Sequence, residues 1–207
     1  MRSTIAAVCS RPIASLFKSF YEDYDEQIQL EAVIATGEAA TEDAVKVLCS
    51  FLDSSENPYF LRSAAAWCLS RIGSEEAVRR LIRAFGDMDQ IIREEALEGI
   101  VILGGPAIPR LLEGLSAIDG DIAAGCAESL RQQAGVADSL VDEVINLLDQ
   151  DEPPPWSVWL AGNLPRDLVS ARIAALQERS PKLHYALSIL WCFMESWIAR
   201  RWELNSK

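Results

Sequence analysis

Apolar and small residues recur along the chain with a period of about 30 to 33 residues. The repeat is visible when the segments that end at Ala40, Gly73, Gly104 and Ala134 are aligned. Five positions carry the repeat. Twelve residues before each end are Ile28, Leu61, Ile92 and Ile122, and eight before are Ala32, Ala65, Ala96 and Cys126. Five before are Ala35, Cys68, Gly99 and Ser129, four before are Thr36, Leu69, Ile100 and Leu130, and one before are Ala39, Ile72, Leu103 and Gln133. Steps of four, three, one and three residues keep these positions on one face of an α-helix. The pattern therefore predicts repeated amphipathic helices, and the small residues allow a neighbouring helix to approach closely.

A second amphipathic stretch follows each of these helices and completes a helix–turn–helix unit. Thr41 and Ser74 are predicted N-caps with acidic residues in the first turn. Pro106 begins the third of these stretches, where a missing N–H costs little. Gly73 and Gly104 are predicted C-caps of the preceding helices. No segment alternates with a period of two, so no sheet is predicted.

One such helix pair cannot bury its own apolar face, whereas a stack of pairs forms a continuous core. We therefore predict an all-α fold, a right-handed α-solenoid of about six helix pairs with an aromatic-rich C-terminal cap. Residues 1–155 form the solenoid, and residues 156–207 form a helical cap that is continuous with it. The expected helices are 3–20, 25–39, 41–53, 58–72, 74–86, 89–103, 106–116, 120–134, 137–149, 156–163, 166–178 and 181–203.

The formal net charge of −12 is unevenly distributed along the chain. Residues 1–155 contain 12 Lys and Arg against 27 Asp and Glu, whereas residues 156–207 contain 7 against 4. A phosphate backbone would be repelled by the acidic part, so we expect no binding to nucleic acid. No apolar run approaches the roughly 18 residues that a membrane span needs, so we expect no membrane-spanning segment. Five scattered cysteines without a C-x-x-C pair favour free thiols in a reducing compartment, which predicts a cytoplasmic protein.

No residue is predicted to be catalytic or to bind a metal. His184 is the only histidine, so a catalytic triad or a metal site built on histidine pairs is excluded by count. The acidic clusters are typical of solvated helix faces. No glycine-rich phosphate loop is present.

Two arginines occupy the same repeat position, eleven residues before a closing glycine. Arg62 and Arg93 follow turns that contain Asp53, Asp87 and Asp89. Each arginine could pair with a turn carboxylate and hold adjacent units together, or it could contribute to a partner-binding site. Both alternatives stay open at this stage.

The residue that ends each aligned segment is called its close. Trp67, Glu98 and Glu128 share a repeat position six residues before the close, and this position lies off the predicted core face. The second helices of stacked pairs line the inner, concave surface, where a tryptophan can anchor a partner. Leu97 is expected to point in a similar direction. Packing against the next unit is the alternative role. The predicted partner-binding residues are therefore Arg62, Trp67, Arg93, Leu97, Glu98 and Glu128.

Five of the six tryptophans lie after the break at residues 153–155. They either close the end of the core or form an aromatic patch for a partner or a flat conjugated ligand. Nearby arginines could then bind ligand carboxylates. The candidate ligand-binding residues are Trp156, Trp159, Trp191, Trp197, Arg200 and Arg201.

Residues 61–82 (LRSAAAWCLSRIGSEEAVRRLI) and 92–112 (IREEALEGIVILGGPAIPRLL) resemble the HEAT repeats of the phycobilisome-lyase type. Those units carry an R-x-x-A-x-x-x-L-x-x-I-G motif followed by an acidic turn. The resemblance covers residues 25–134. It implies one of the functions found in that class, which includes bilin lyase subunits, chaperone-like proteins of phycobiliprotein assembly and breakdown, and general scaffolds. This chain lacks the His-Cys motif of isomerising lyases and the several His-Glu pairs of HEAT diiron hydroxylases.

The resulting functional prediction is a non-catalytic protein-binding scaffold or assembly factor without a cofactor. Its client would bind along the concave helix face and could be a phycobiliprotein or a second HEAT-repeat chain. The alternative is a lyase subunit that holds an open-chain tetrapyrrole, a phycobilin, and presents it to a protein thiol. In that alternative, proximity would supply much of the rate.

Overall fold

The computed structural model describes residues 13–133, 138–150, 152–165, 167–169 and 171–172. The chain forms two compact units, Met1–Ala107 and Ile108–Lys207. All the regular structure in the described ranges is helical, and the fold class is that of an all-α solenoid. The helices of the first unit are α1 (Ile13–Tyr21), α2 (Glu26–Ala39), α3 (Glu42–Asp53), α4 (Tyr59–Ile72), α5 (Glu75–Arg83) and α6 (Gln90–Leu103).

The first unit consists of two layers of helices. We call α1, α3 and α5 the A helices and α2, α4 and α6 the B helices. Each B helix packs against its neighbours in the same layer, α2 against α4 and α4 against α6, and also against A helices. This arrangement is the predicted stack of helix pairs. The right-handedness and the total of six pairs stay predictions.

The B helices run parallel and nearly in register. A Cβ placed on Gly37 of α2 would lie 2.5 Å from Sγ of Cys68 on α4. A Cβ placed on Gly99 of α6 would lie 2.8 Å from Cβ of Ser70 on α4. These glycines therefore let the helix backbones approach closely, as the small residues of the repeat predict. Gly37 itself lies outside the repeat positions used in the prediction.

The predicted core face is confirmed at most of its positions. The positions eight and four before each close are buried in all three B helices, from Ala32 and Thr36 to Ala96 and Ile100. Two positions are errors in the prediction: Ile28 is 39% exposed while the equivalent Leu61 and Ile92 are buried, and Ala39 is also exposed. Ile28 lies in the first B helix of the described stack. No earlier B helix of the described residues covers it, as is usual for a terminal repeat.

Side-chain caps fix the starts of the helices. Thr41 accepts a hydrogen bond from the backbone N–H of Ala44 at 3.1 Å, and Ser74 accepts one from that of Ala77 at 3.3 Å. These two predicted caps are confirmed. Asp25 and Asp89 cap α2 and α6 in the same way, each at 2.9 Å from the N–H two residues further on.

The C-terminal ends of the B helices adopt positive φ. Gly73 has φ 61° and Gly104 has φ 66°, which confirms both as C-caps. Ala40 has φ 48° at the end of α2 and is the one non-glycine residue with positive φ in the described ranges. Its N–H donates to the carbonyl of Gly37 at 3.1 Å.

We expect Ala40→Gly to stabilise the protein by about 0.5 kcal/mol. Relief of the left-handed strain of roughly 1–2 kcal/mol outweighs the added chain entropy of glycine in the unfolded state. Ala39→Gly is the matched control, because Ala39 is the last residue of α2, and it should destabilise by about 0.5–1 kcal/mol. Thermal melts of the two variants check the opposite signs. Destabilisation by both would show that the strain at Ala40 is negligible.

The second unit contains α7 (Ile108–Gly114), α8 (Gly120–Gln133), α9 (Asp138–Leu148) and α10 (Pro155–Asn163). Helix α8 packs against α7 and α10, and α9 packs against α10. The predicted helices 106–116, 120–134, 137–149 and 156–163 are thus confirmed to within about two residues. Predicted helix 166–178 lies only partly within the described residues, and 181–203 lies outside them. The division of the chain at residue 155 and the capping role of residues 156–207 stay predictions.

Candidate functional site

Arg62 is buried at the junction of two turns, with 5% of the residue exposed. Its Nε donates to the carbonyl of Leu52 at 3.0 Å, and its Nη1 donates to Oδ1 of Asp87 at 3.2 Å. Its Nη2 donates to Oδ2 of the same carboxylate. The guanidinium therefore joins the end of α3 to the turn before α6. This geometry supports the structural alternative and leaves no free surface on Arg62 for a partner.

Arg93 also binds the turn that contains Asp87. Its Nη1 donates to the backbone carbonyl of Asp87 at 2.6 Å and to that of Met88 at 3.1 Å. The other two predicted turn acids have different roles: Asp53 pairs with Arg80, and Asp89 caps α6. Arg93 is half-buried, and its contacts support the structural alternative for it as well.

The B helices present a common exposed side, which we call the B-helix face. It consists of the positions nine, six and two residues before each close, so that each of the three helices contributes three residues. All nine are at least partly exposed. They are Glu31, Ile34 and Glu38 on α2; Ala64, Trp67 and Arg71 on α4; and Glu95, Glu98 and Ile102 on α6.

Trp67 lies on the middle helix of this face and is 42% exposed. The guanidinium carbon of Arg71, one turn later, lies 4.9 Å from the centroid of the Trp67 ring, which is a cation–π arrangement. Trp67 is placed on α4 between Ser63, whose Oγ is 3.1 Å from Oε2 of Glu95, and Ser70, which packs against Gly99. The contacts of α4 with α6 on either side of Trp67 thus involve Glu95 and Gly99, and Glu98 holds the same repeat position on α6 as Trp67 on α4.

The charge on the B-helix face is negative. It carries Glu31, Glu38, Glu95 and Glu98 against Arg71. In the described part of the chain none of these glutamates forms an ion pair. Glu31 accepts a hydrogen bond from Gln27, and Glu95 accepts one from Ser63. The surface therefore combines an exposed aromatic ring with uncompensated carboxylates.

Two other predicted partner-binding residues are not among the nine residues that define the B-helix face. Leu97 is half-buried, and its repeat position is that of Val33 and Ala66, which are fully buried. It thus belongs to the side of α6 that turns away from the B-helix face. Glu128 is half-buried on α8 of the second unit, where its carboxylate accepts hydrogen bonds from Arg131 at 2.7 Å and from Gln132 at 2.9 Å. The sequence predictions that meet on one face are Trp67 and Glu98.

Sequence reasoning missed two exposed apolar side chains at the starts of B helices. Tyr24 and Met88 occupy the same repeat position, directly before the capping residues Asp25 and Asp89, and both are fully exposed. A residue at this position often packs back onto its helix, but these two do not. Their common place in the repeat was the available signal. They add apolar surface at the N-terminal ends of α2 and α6.

The candidate ligand residues are described only in part. The rings of Trp156 and Trp159 meet edge to face with centroids 5.7 Å apart, and Trp159 is 38% exposed. Both lie on α10 of the second unit. Trp191, Trp197, Arg200 and Arg201 lie outside the described residues.

Three cysteines are buried free thiols. Burial raises the pKa of Cys49 and of Cys68 to about 11, and that of Cys126 to about 12. For Cys68, the charge of Arg71 opposes this increase and that of Glu38 adds to it. Because the thiolate is the nucleophilic form, these cysteines are inert rather than reactive.

We expect the three buried thiols to resist modification in the folded protein. In a Cys9→Ser/Cys192→Ser variant, a chromogenic disulfide reagent at about pH 7.5 should label no cysteine until denaturant is added, because the usual thiol pKa of about 8.5 returns on unfolding. Complete labelling in denaturant is the internal control. Rapid labelling of the native variant would contradict the burial of these side chains.

In the ranges that the structure describes, no group of three His, Cys, Asp or Glu side chains could hold a metal ion. No helix in those ranges is both long and apolar enough to cross a membrane.

The chain is similar to proteins built from HEAT repeats. Searching the curated proteins finds no match. A HEAT-like repeats protein from the archaeon Thermococcus onnurineus NA1 is 16% identical with a TM-score of 0.40, and the match covers 86% of this chain and 85% of that one. The CpcE–CpcF complex of phycocyanin lyase from Nostoc sp. PCC7120 is 14% identical with a TM-score of 0.38, covering 86% and 92%. Human deoxyhypusine hydroxylase in complex with glycerol is 15% identical with a TM-score of 0.34, covering 85% and 82%. The family model described as HEAT repeats matches residues 13–101, which span the described helices of the first unit up to α6.

Proposed function

We propose that this protein is a scaffold or assembly factor that binds a client protein on the B-helix face. A large aromatic side chain at a solvent-exposed position of the middle helix carries the proposal. Tryptophan is enriched among the residues that dominate binding energy at protein interfaces. The HEAT-repeat match supports a protein-binding role, because stacked helix pairs present extended surfaces.

The burial of Arg62 and the backbone contacts of Arg93 leave Trp67 as the strongest candidate anchor among the predicted residues. Arg71 lies over the ring of Trp67, and this contact, worth about 0.5–1 kcal/mol at an exposed site, favours one ring orientation before a client binds. The rows of Glu and Ile on the adjacent helices provide its surroundings. The client would be a protein, such as a phycobiliprotein or a second HEAT-repeat chain, that contributes a folded or extended segment to the interface.

Trp67→Ala should weaken client binding by about 2 kcal/mol, or roughly thirtyfold, with little loss of stability. The measurement is quantitative capture of clients from the native host by the immobilised protein, with thermal melting of each variant alongside. Trp159→Ala is the matched control, because Trp159 is exposed to a similar degree but lies in the second unit. Client capture that survives Trp67→Ala unchanged would contradict the proposal.

The alternative function is binding of an open-chain tetrapyrrole, and the edge-to-face pair of the half-buried Trp156 and the exposed Trp159 favours it. Aromatic side chains of this kind can stack on a flat conjugated ligand. A phycobilin mixed with the protein should then show a shifted visible absorption band that Trp159→Ala removes and Trp67→Ala leaves in place. An unshifted band argues against this alternative.

A further inference from the structure

We infer that the client segment recognised by the B-helix face is basic, with Lys or Arg side chains placed around at least one large apolar residue. This inference rests on the proposed function and specifies its partner. It follows from the charges on the face and from the apolar side chains between them.

The negative charge of the face is available to a partner. Glu38 and Glu98 are exposed and have neither a hydrogen bond nor an ion pair from their side chains in the described part of the chain. Glu31 and Glu95 accept hydrogen bonds from neutral groups only, so their charges are not neutralised. Such charges attract a cationic partner within about 10 Å at moderate salt.

The apolar requirement comes from Trp67 and Ile102. Arg71 already covers part of the Trp67 ring, so the exposed remainder of the ring is left for an apolar contact. Ile102 is 70% exposed on the adjacent helix and holds the repeat position of Arg71. Lys and Arg suit this surface well, because their aliphatic stems pack on apolar groups while their charged ends reach carboxylates.

The same charges disfavour other polyanionic or acidic partners. Nucleic acid and anionic membrane surfaces would meet like charge on this face. An acidic protein segment would suffer the same repulsion. A basic amphipathic protein segment is the partner class that satisfies both the carboxylates and the apolar side chains.

Two model peptides test the inference directly. Each has about 20 residues and the same helical apolar pattern, with Leu and Lys in one and Leu and Glu in the other, so that only the sign of the charge differs. Binding of each fluorescent peptide to the full chain is measured by anisotropy at about 50 mM and about 500 mM NaCl. The protein variants are Trp67→Ala, Glu95→Gln/Glu98→Gln and Glu42→Gln/Asp43→Asn. The last one changes the same number of charges on the exposed side of α3, outside the B-helix face.

The expected result is binding of the Lys peptide alone, weakened at high salt. Trp67→Ala should raise its dissociation constant about tenfold or more, and Glu95→Gln/Glu98→Gln about fivefold. Glu42→Gln/Asp43→Asn should leave it nearly unchanged. Equal weakening by both charge variants, equal binding of the two peptides, or no binding of the Lys peptide would overturn the inference. If the Lys peptide fails while Trp67-dependent client capture persists, the partner class is wrong and the proposed function stands; if both fail, the function is wrong as well.

Discussion

Replacing Arg62 by Met should destabilise the protein by about 3–5 kcal/mol, the largest effect we expect from a single side chain. Methionine keeps the apolar stem but removes the guanidinium that satisfies both the carbonyl of Leu52 and the carboxylate of Asp87. The Asp87 side chain is only 19% exposed, so its charge would be left largely buried without its partner. Equilibrium unfolding in denaturant measures the loss.

A surface arginine provides the matched control for Arg62. Arg79 pairs with Glu75 across one helical turn, and both side chains are more than half exposed. Arg79→Met should therefore cost about 0.5 kcal/mol or less. A double variant, Arg62→Met/Asp87→Leu, should recover part of the stability lost by Arg62→Met alone, because it no longer buries an unpaired charge. Equal unfolding free energies for Arg62→Met and Arg79→Met would show that Arg62 does not hold the unit together.

Replacing Gly37 by Val should destabilise the protein by about 2–3 kcal/mol. Even the first added carbon would lie 2.5 Å from Sγ and 2.7 Å from Cβ of Cys68, so α2 and α4 would have to move apart. The backbone of α4 also packs against α6, which limits that movement. The gain in helix propensity on replacing glycine is smaller than this packing penalty. Thermal and denaturant unfolding measure the change.

Gly120→Val is the control for Gly37→Val, because Gly120 is exposed at the start of α8 and a Cβ there would meet nothing beyond its chain neighbours within 4 Å. That substitution should change the unfolding free energy by less than about 1 kcal/mol. A Gly37→Val variant as stable as the parent would mean that the B helices are not held at the spacing described. A comparable loss in both variants would instead point to a general cost of removing glycine from this chain.

The repeat architecture could be predicted from the sequence because it depends on local chemistry. Thr41 and Ser74 carry hydroxyls at the position where a helix N-terminus needs an acceptor, and Gly73 and Gly104 adopt the positive φ that ends a helix. The buried positions follow from helical periodicity alone. Ile28 was wrong because exposure at the end of a stack depends on which neighbour is present, and periodicity contains no information on that.

The candidate site could be predicted only in part. Trp67 and Glu98 were found because their repeat position lies off the core face. Leu97 is adjacent to Glu98 in sequence but turns about 100° away around the helix, into the row of Val33 and Ala66. Arg62 could not be assigned from sequence, because the same repeat position permits either a surface arginine or a buried one, and the position of Asp87 in space decides between them.

Site-specific photo-crosslinking shows whether a client binds on the B-helix face. A photoreactive residue is placed at Glu98 on the B-helix face or at Lys46 on the exposed side of α3, and each protein is irradiated in extract of the native host. We expect a discrete crosslinked client from position 98 that disappears when Trp67→Ala is added, and no such product from position 46. The same client crosslinking equally from both positions, or only from position 46, would contradict client binding on the B-helix face.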